Sequence, residues 1–266
     1  MNGWKLLPLV CLLALAIAAP ISEAHADEEA PAPAPTPAPT PPLTPAPASN
    51  SDNPDQGNIL ILGGTVFHES STLTGEEQVS VQERDQSFDY QNYNRLSARV
   101  IYLRPQSERL YLGFGADFVG NYAANIVDDD GPSDPPDVYS FGPLLETMGF
   151  AEWRFPLSDD LTFSVGTQLG LAMVFPRGDL AAEIRSLQNN NVRVWRIPRF
   201  GGAAGAHTAF RYTIDDRLGL RADLGLQWQN IIMFRTQQTV DGSPFRKHWT
   251  TGALRGRLGI SLEILL

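Results

Sequence analysis

From Asn58 to its C-terminus the chain alternates apolar and polar positions with a period of two, the spacing of a strand with two unlike faces. Leu110, Leu112, Phe114, Ala116 and Phe118 alternate with Tyr111, Gly113, Gly115 and Asp117. Leu161, Phe163, Val165, Thr167, Leu169, Leu171 and Met173 form a second such row, and Leu218, Leu220, Ala222, Leu224, Leu226 and Trp228 a third. The last row sets Leu254, Leu258, Ile260, Leu262 and Ile264 against Arg255, Arg257, Gly259, Ser261 and Glu263. Helical periodicity is confined to a turn or two at Leu180 to Gln188. Soluble strands average about five or six residues. These are longer and reach the roughly 9–11 residues that a tilted membrane strand requires.

The pattern predicts eight strands, at 59–68, 93–104, 109–119, 145–156, 161–175, 199–213, 217–230 and 250–266. Three connections are tight polar turns: Pro105-Gln106-Ser107-Glu108, Leu157-Ser158-Asp159-Asp160 and Asp215-Asp216. The other four are long, and short and long links alternate. If neighbouring strands are antiparallel, the short turns share one end of the sheet and the long loops the other. An extra hairpin between Glu77 and Ser87 would raise the count to ten strands.

That asymmetry resembles the bacterial outer-membrane β-barrels, with their short periplasmic turns, long external loops and even strand number. Within that group the chain is similar to the small eight-stranded barrels of the OmpA membrane-domain type. The resemblance covers Asn58 to Leu266 and is architectural. The end of such barrels carries a polar residue, Gly and spaced hydrophobics, as Arg257-Leu258-Gly259-Ile260-Ser261-Leu262-Glu263-Ile264 does. Here the hydrophobics are aliphatic, and the chain runs on to Leu265 and Leu266 rather than closing on Phe. The resemblance implies an outer-membrane location and contact with outer-membrane lipids and lipopolysaccharide. It also implies recognition of the C-terminal strand by the barrel assembly machinery.

Residues 1–26 read as a signal peptide: Lys5 in the n-region, an apolar run from Leu6 to Ala19, and Ala24-His25-Ala26 at the cleavage site. The run is shorter than the ~20 residues of a spanning helix. Cleavage removes Cys11, the single cysteine, so the exported chain does not depend on disulfides. Residues 27–57 form a linker in which Pro31 to Pro47 alternates Pro with Ala and Thr. That composition favours polyproline II and cannot bury a core. The three expected parts are thus 1–26, 27–57 in the periplasm, and a barrel over 58–266.

Alternation alone does not say which face is outside, and a lipocalin-like soluble barrel would turn the apolar set inward. Two features favour the membrane arrangement. The polar face mixes Gly and Ala with Arg, Asp, Glu and Gln and carries no Lys, unlike a solvated face. The aromatics on the apolar parity also fall in two bands, as membrane interfaces favour. Tyr102, Trp153, Phe155, Phe163, Phe210 and Tyr212 lie near the short turns, and Phe118, Tyr122, Phe175 and Trp228 near the long loops. The interior then receives Arg95, Arg99, Asp117, Glu152, Arg154, His207, Arg211, Arg221, Asp223, Gln227, Arg255, Arg257 and Glu263. Eight strands enclose room for side chains only. The set reads as a plug of ion pairs, or, since Arg outnumbers acid in it, as a narrow anion path.

A formal charge of -10 over 266 residues argues against nucleic acid as a partner. The first two loops are acidic, with Glu69, Glu76, Glu77, Glu83, Asp85 and Asp89, then Asp128-Asp129-Asp130-Gly131-Pro132-Ser133-Asp134. The Asp run offers oxygens of the kind calcium takes, but it lacks the EF-hand spacing and helical flanks and reads as a solvated loop. The later loops carry Arg177, Arg185, Arg193, Arg196, Arg246 and Lys247, suited to lipopolysaccharide phosphates or to pairing with the acidic loops. Neither a metal nor a cofactor is expected. His68, His207 and His248 lie outside any GxSxG, HExxH or P-loop motif, so an enzyme is not the expectation. The reading is a structural or surface-interaction platform working through its loops. A solute channel or lipid-binding barrel is the alternative, and a lipid-modifying enzyme the third.

Overall fold

In a computed structural model, which describes residues 57–79, 82–92, 94–128, 131–132 and 138–266, the alternating rows become strands of one antiparallel sheet. They are β1 (Ile59–Val79), β2 (Gln82–Asn92), β3 (Leu96–Pro105), β4 (Leu110–Asp128), β5 (Gly131–Pro132), β6 (Val138–Pro156), β7 (Leu161–Val174), β8 (Arg199–Thr213), β9 (Leu218–Val240) and β10 (Ser243–Leu265). One helix, α1 (Gly178–Asn189), lies between β7 and β8. The expected signal peptide, the linker up to Gln56, and Asp129, Asp130, Ser133 and Asp134 of the acidic run lie outside the described residues.

The sheet closes on itself. β1 pairs with β3, β3 with β4, β4 with β6, and β6 through β10 pair in order. β10 returns to β1 in a register running from Ile59↔Leu265 to Val79↔Phe245. β2 pairs with β1 above residue 71 and with β4 at Tyr90 to Asn92, continuing the place that β3 holds lower down. The barrel therefore has eight staves, one of them made of β2 and β3, and the closed ring itself has no edge strand. The hairpin foreseen between Glu77 and Ser87 exists, but it prolongs two staves rather than adding two.

The three short turns lie at one end and close alike: Gln106, Leu157 and Ile214 each donate their N–H to the carbonyl four residues on, at 2.8 Å. The other end differs from the loops expected there. β1, β4, β6, β9 and β10 run well past the predicted limits, so what looked like unstructured connections is largely strand. The last of them is a hairpin turning on Asp241 and Gly242, whose φ angles of 49° and 82° suit a tight primed turn. Three bulges interrupt the pairing, in β4 between Val119 and Tyr122, in β6 at Phe141 opposite the step from Tyr122 to Ala123, and in β9 opposite Trp249 and Thr250.

The aliphatic parity faces outward. Phe114, Leu169, Leu224, Leu258 and Ile260 are all more than half exposed, and Leu62, Val66, Val100, Leu112, Leu171, Leu220, Leu254 and Leu262 join them. A belt of that extent around a folded chain is far beyond the apolar patch a water-soluble surface carries. With the strands paired on both sides around the ring, it is the exterior of a transmembrane β-barrel. The lipocalin-like alternative, with its aliphatic set inside, is not the arrangement adopted.

Candidate binding site at the loop end

The lumen is filled in layers that begin at the turn end. Ile59, Ile61, Ile101 and Leu103 make an apolar floor, and the Arg154 guanidinium lies 4.7 Å from the ring of Tyr111 beside it. Above it Arg154 grips Glu263 with two hydrogen bonds of 2.7 and 3.0 Å, and Arg211 adds its Nε at 2.8 Å. Arg221 grips Glu152 in the same bidentate way, at 2.9 and 2.7 Å, and donates Nε to Asp223 at 2.9 Å. His207 Nε2 stands 3.1 Å from Glu152. Next, Arg99 holds both oxygens of Asp117 at 2.8 and 3.1 Å, while Arg257 bridges Asp117 and Gln227. Gln227 donates to Glu146 at 2.8 Å. At the top Arg255 pairs with Glu69 and with Glu146, the latter at 2.7 Å, and Tyr122 donates to Glu69 at 3.1 Å.

These placements revise the expected interior at three points. Arg95 precedes β3 and is exposed, so it is no part of the interior. Glu69 and Glu146, assigned to a loop or passed over, are both almost wholly buried. Among the described residues the lumen then holds six arginines, at 99, 154, 211, 221, 255 and 257. Six carboxylates face them, at 69, 117, 146, 152, 223 and 263. The expected arginine excess vanishes.

The aromatics need one revision. Tyr102, Trp153, Phe155, Phe163, Phe210 and Tyr212 sit on the outer face near the turns, with Phe163 5.1 Å from Phe210 and 6.4 Å from Phe155. Phe118, Phe175 and Trp228 are exposed toward the loop end. Tyr122 is not with them, because the β4 bulge reverses the parity after Val119 and turns its ring inward. His68 and His248 are both exposed, on the neighbouring strands β1 and β10, opposite Gly256 and Glu76.

Above the charged layers the walls turn apolar again and enclose a cavity of about 270 Å³. The floor is Tyr90, whose hydroxyl lies 2.6 Å from that of Tyr122 and also bonds Thr251. Phe141 of β6 packs 5.9 Å from Tyr90. Met233 and Phe234 both face inward because the β9 bulge makes consecutive residues share a side. Trp249 of β10 stacks on Phe88 of β2 at 6.0 Å and 11°. A Cβ at Gly75, the cross-strand partner of Trp249, would run into the indole, so glycine is what lets the ring lie flat across the strands.

Helix α1 closes one side, turning Leu180 and Ile184 inward. Its first turn is tied down by the Ser140 N–H, which donates to Asp179 at 2.8 Å, so the Arg177-Gly178-Asp179 tripeptide is built into the helix start. Glu183 accepts from the Tyr139 hydroxyl, and burial together with that carboxylate pushes the phenol above its ordinary range. Lys247, expected in a loop, is instead buried on β10: its Nζ lies 2.7 Å from Glu183, 3.4 Å from Glu77, 5.2 Å from the Phe234 ring and 5.6 Å from that of Trp249. Arg177, Arg185, Arg193 and Arg196 are exposed around this rim, and Arg246 pairs with Glu76. Sequence reasoning did not find this cavity. Its walls come from strand segments beyond the membrane belt, where both faces are mixed and alternation fades.

No protein-family model matches the chain, and no curated protein matches it in sequence. Among solved structures, it is similar to the Neisserial surface protein A (NspA) at 12% identity, covering 79% of this chain and 99% of that one with a TM-score of 0.38. The outer membrane protein OprG from Pseudomonas aeruginosa gives 9%, 79%, 97% and 0.42. The outer membrane protease OmpT from Escherichia coli gives 7%, 80%, 98% and 0.34. These likenesses are distant. The barrel assignment rests on this chain's own ring of paired strands and its outward aliphatic belt.

Proposed function

We propose that the chain is an outer-membrane barrel acting as a closed platform, which binds at its loop end and does not conduct. The observation that carries this reading is the filled lumen. Among the described residues, six arginines and six carboxylates pair across it over an apolar floor, a balanced packing that supports a plug rather than an ion-selective path. In this reading the turn end faces the periplasm, where the linker of residues 27–57 emerges, and the loop end faces outward. The exposed Arg177, Arg185, Arg193 and Arg196, with Trp195, Ile197 and Phe200 exposed nearby, then meet the phosphates and acyl boundary of lipopolysaccharide. The C-terminal strand β10, aliphatic outside, is the segment the barrel assembly machinery would engage.

A non-enzymatic role fits where the histidines sit: His207 is enclosed against Glu152, and His68 and His248 point away from the barrel axis. Planar-bilayer recording tests the platform against the channel. The purified barrel should insert, shown by its shift in apparent mass on boiling, without producing conductance steps. Reproducible steps would favour the channel.

A further inference from the structure

The loop-end cavity has a composition that the platform reading does not use. Its volume of about 270 Å³ is that of about nine waters at ~30 Å³ each, enough for a single-ring molecule. The walls are largely aromatic: Phe88, Tyr90, Phe141, Phe234 and Trp249. Into this apolar space the fold brings two carboxylates, Glu77 and Glu183, and one ammonium, Lys247. The ammonium lies 2.7 Å from Glu183 and makes a longer bond to one oxygen of Glu77 at 3.4 Å, while Glu183 also receives the Tyr139 hydroxyl. Glu77 is the acceptor with capacity left.

We propose that this cavity binds a small organic cation, an ammonium on an aromatic or alkyl body, with the charge on Glu77 and the body against Phe88 and Trp249. This deepens the binding-platform reading and rests on it. The lining charge of one cation against two anions favours a monovalent cation and disfavours an anion. The pocket already accommodates such a group, since the Lys247 ammonium lies 5.2 and 5.6 Å from two aromatic rings. The β1–β2 hairpin that rises beside the mouth carries Glu76, Glu83, Asp85 and Asp89 against Arg84, while Arg177, Arg185, Arg193 and Arg196 are exposed around the rim, so the preference for a cation is set by the lining and not by the field at the mouth. The Trp249 indole N–H is buried without a partner, so a hydroxyl or ether oxygen on the ligand body would satisfy the remaining donor.

The test uses the folded barrel in lipid nanodiscs and three single-ring probes of similar size: 2-phenylethylammonium, 2-phenylethanol and phenylacetate. Calorimetry or equilibrium dialysis should rank the cation about tenfold tighter than the alcohol, with the anion weakest. Glu77→Gln should remove that preference and leave the alcohol unchanged, while Lys247→Gln should tighten the cation further. Retention of the heat-dependent gel shift by both variants confirms that the barrel is intact. Phenylacetate as the best probe, lost in Lys247→Gln, would make this an anion site and overturn the proposal. Equal binding of all three would make the cavity merely apolar, and no binding of any by the folded barrel would make it packing; either result removes the cation site. These outcomes are separate from conductance: a silent barrel that ignores all three probes keeps the platform and loses the pocket.

Discussion

The most exposed test of the lumen is a single residue, Arg255. It is 2% exposed, pairs with Glu69 and Glu146, and lies 5.1 and 5.4 Å from the rings of Phe67 and Tyr122. Desolvating three charges is expensive, and only their mutual pairing offsets it. Arg255→Met should therefore cost about 3–5 kcal/mol, because two carboxylates remain buried without their cation. Adding Glu69→Gln and Glu146→Gln to Arg255→Met should recover most of the loss, read as the urea midpoint of unfolding in micelles. A triple variant no better than Arg255→Met alone would mean that the arginine's packing, not its charge, holds the layer. Both carboxylates were within reach of the sequence. Glu146 shares the parity of Glu152 on one strand, and Glu69 that of Arg255 across the β1–β10 pair. Glu69 falls just beyond the strand predicted at 59–68, where the alternation is not followed into the acidic stretch, whereas Glu146 lies inside the strand predicted at 145–156 and is passed over although its parity is inward. Arg95 was misplaced for the converse reason: parity was extended to a position before the strand begins at Leu96.

At the scale of elements, period-two alternation found the eight staves and all three turns because lipid on one side and packed charge on the other force opposite chemistry onto alternate residues. Past the belt that pressure ends. Glu76, Glu77 and Gln78 face Glu83, Arg84 and Asp85 with polar groups on both sides, and such a hairpin leaves no periodic trace. The Asp241-Gly242 turn did leave one, but its flanks, Thr236 to Val240, are too polar to read as a strand. Bulges are the other hidden element. In β9 the pairing passes from Ile232↔Thr250 to Phe234↔Trp249, with Met233 the extra residue. Deleting Met233 joins those two pairs without changing which side Phe234 faces. It should therefore cost only a buried methionine, about 2–5 kcal/mol, while the barrel keeps its outer-membrane location and heat-dependent gel shift. Deleting Leu226 within the belt instead sends Gln227 and the lower register to opposite faces and should abolish both. Equal tolerance of the two deletions would mean that the bulge does not set the register.

For the molecule as a whole, the decisive quantity is where the belt stops, since that level separates the lipid-held ring from the wet mouth and its cavity. On β10 the outward row runs Leu254, Leu258, Ile260, Leu262 and Ile264. About ten steps of ~3.3 Å at a tilt of ~40° rise about 25 Å, the height of an outer-membrane apolar band. Six residues beyond Leu254, His248 is again exposed and outward, opposite Glu76. Arginine placed at these outward positions should report depth directly. Leu258→Arg should cost about 2–4 kcal/mol, Leu254→Arg about 0–1, and His248→Arg nothing measurable, in folding titrations into lipid vesicles. A graded series puts the upper boundary between Leu254 and His248, so Lys247, Trp249 and the cavity they line stand above the hydrocarbon, reachable from water. A steep cost that persists at His248 would sink the cavity into the lipid and leave a soluble cation no route to Glu77. A flat series would contradict the membrane exterior itself, because an aqueous surface accepts arginine at all three positions.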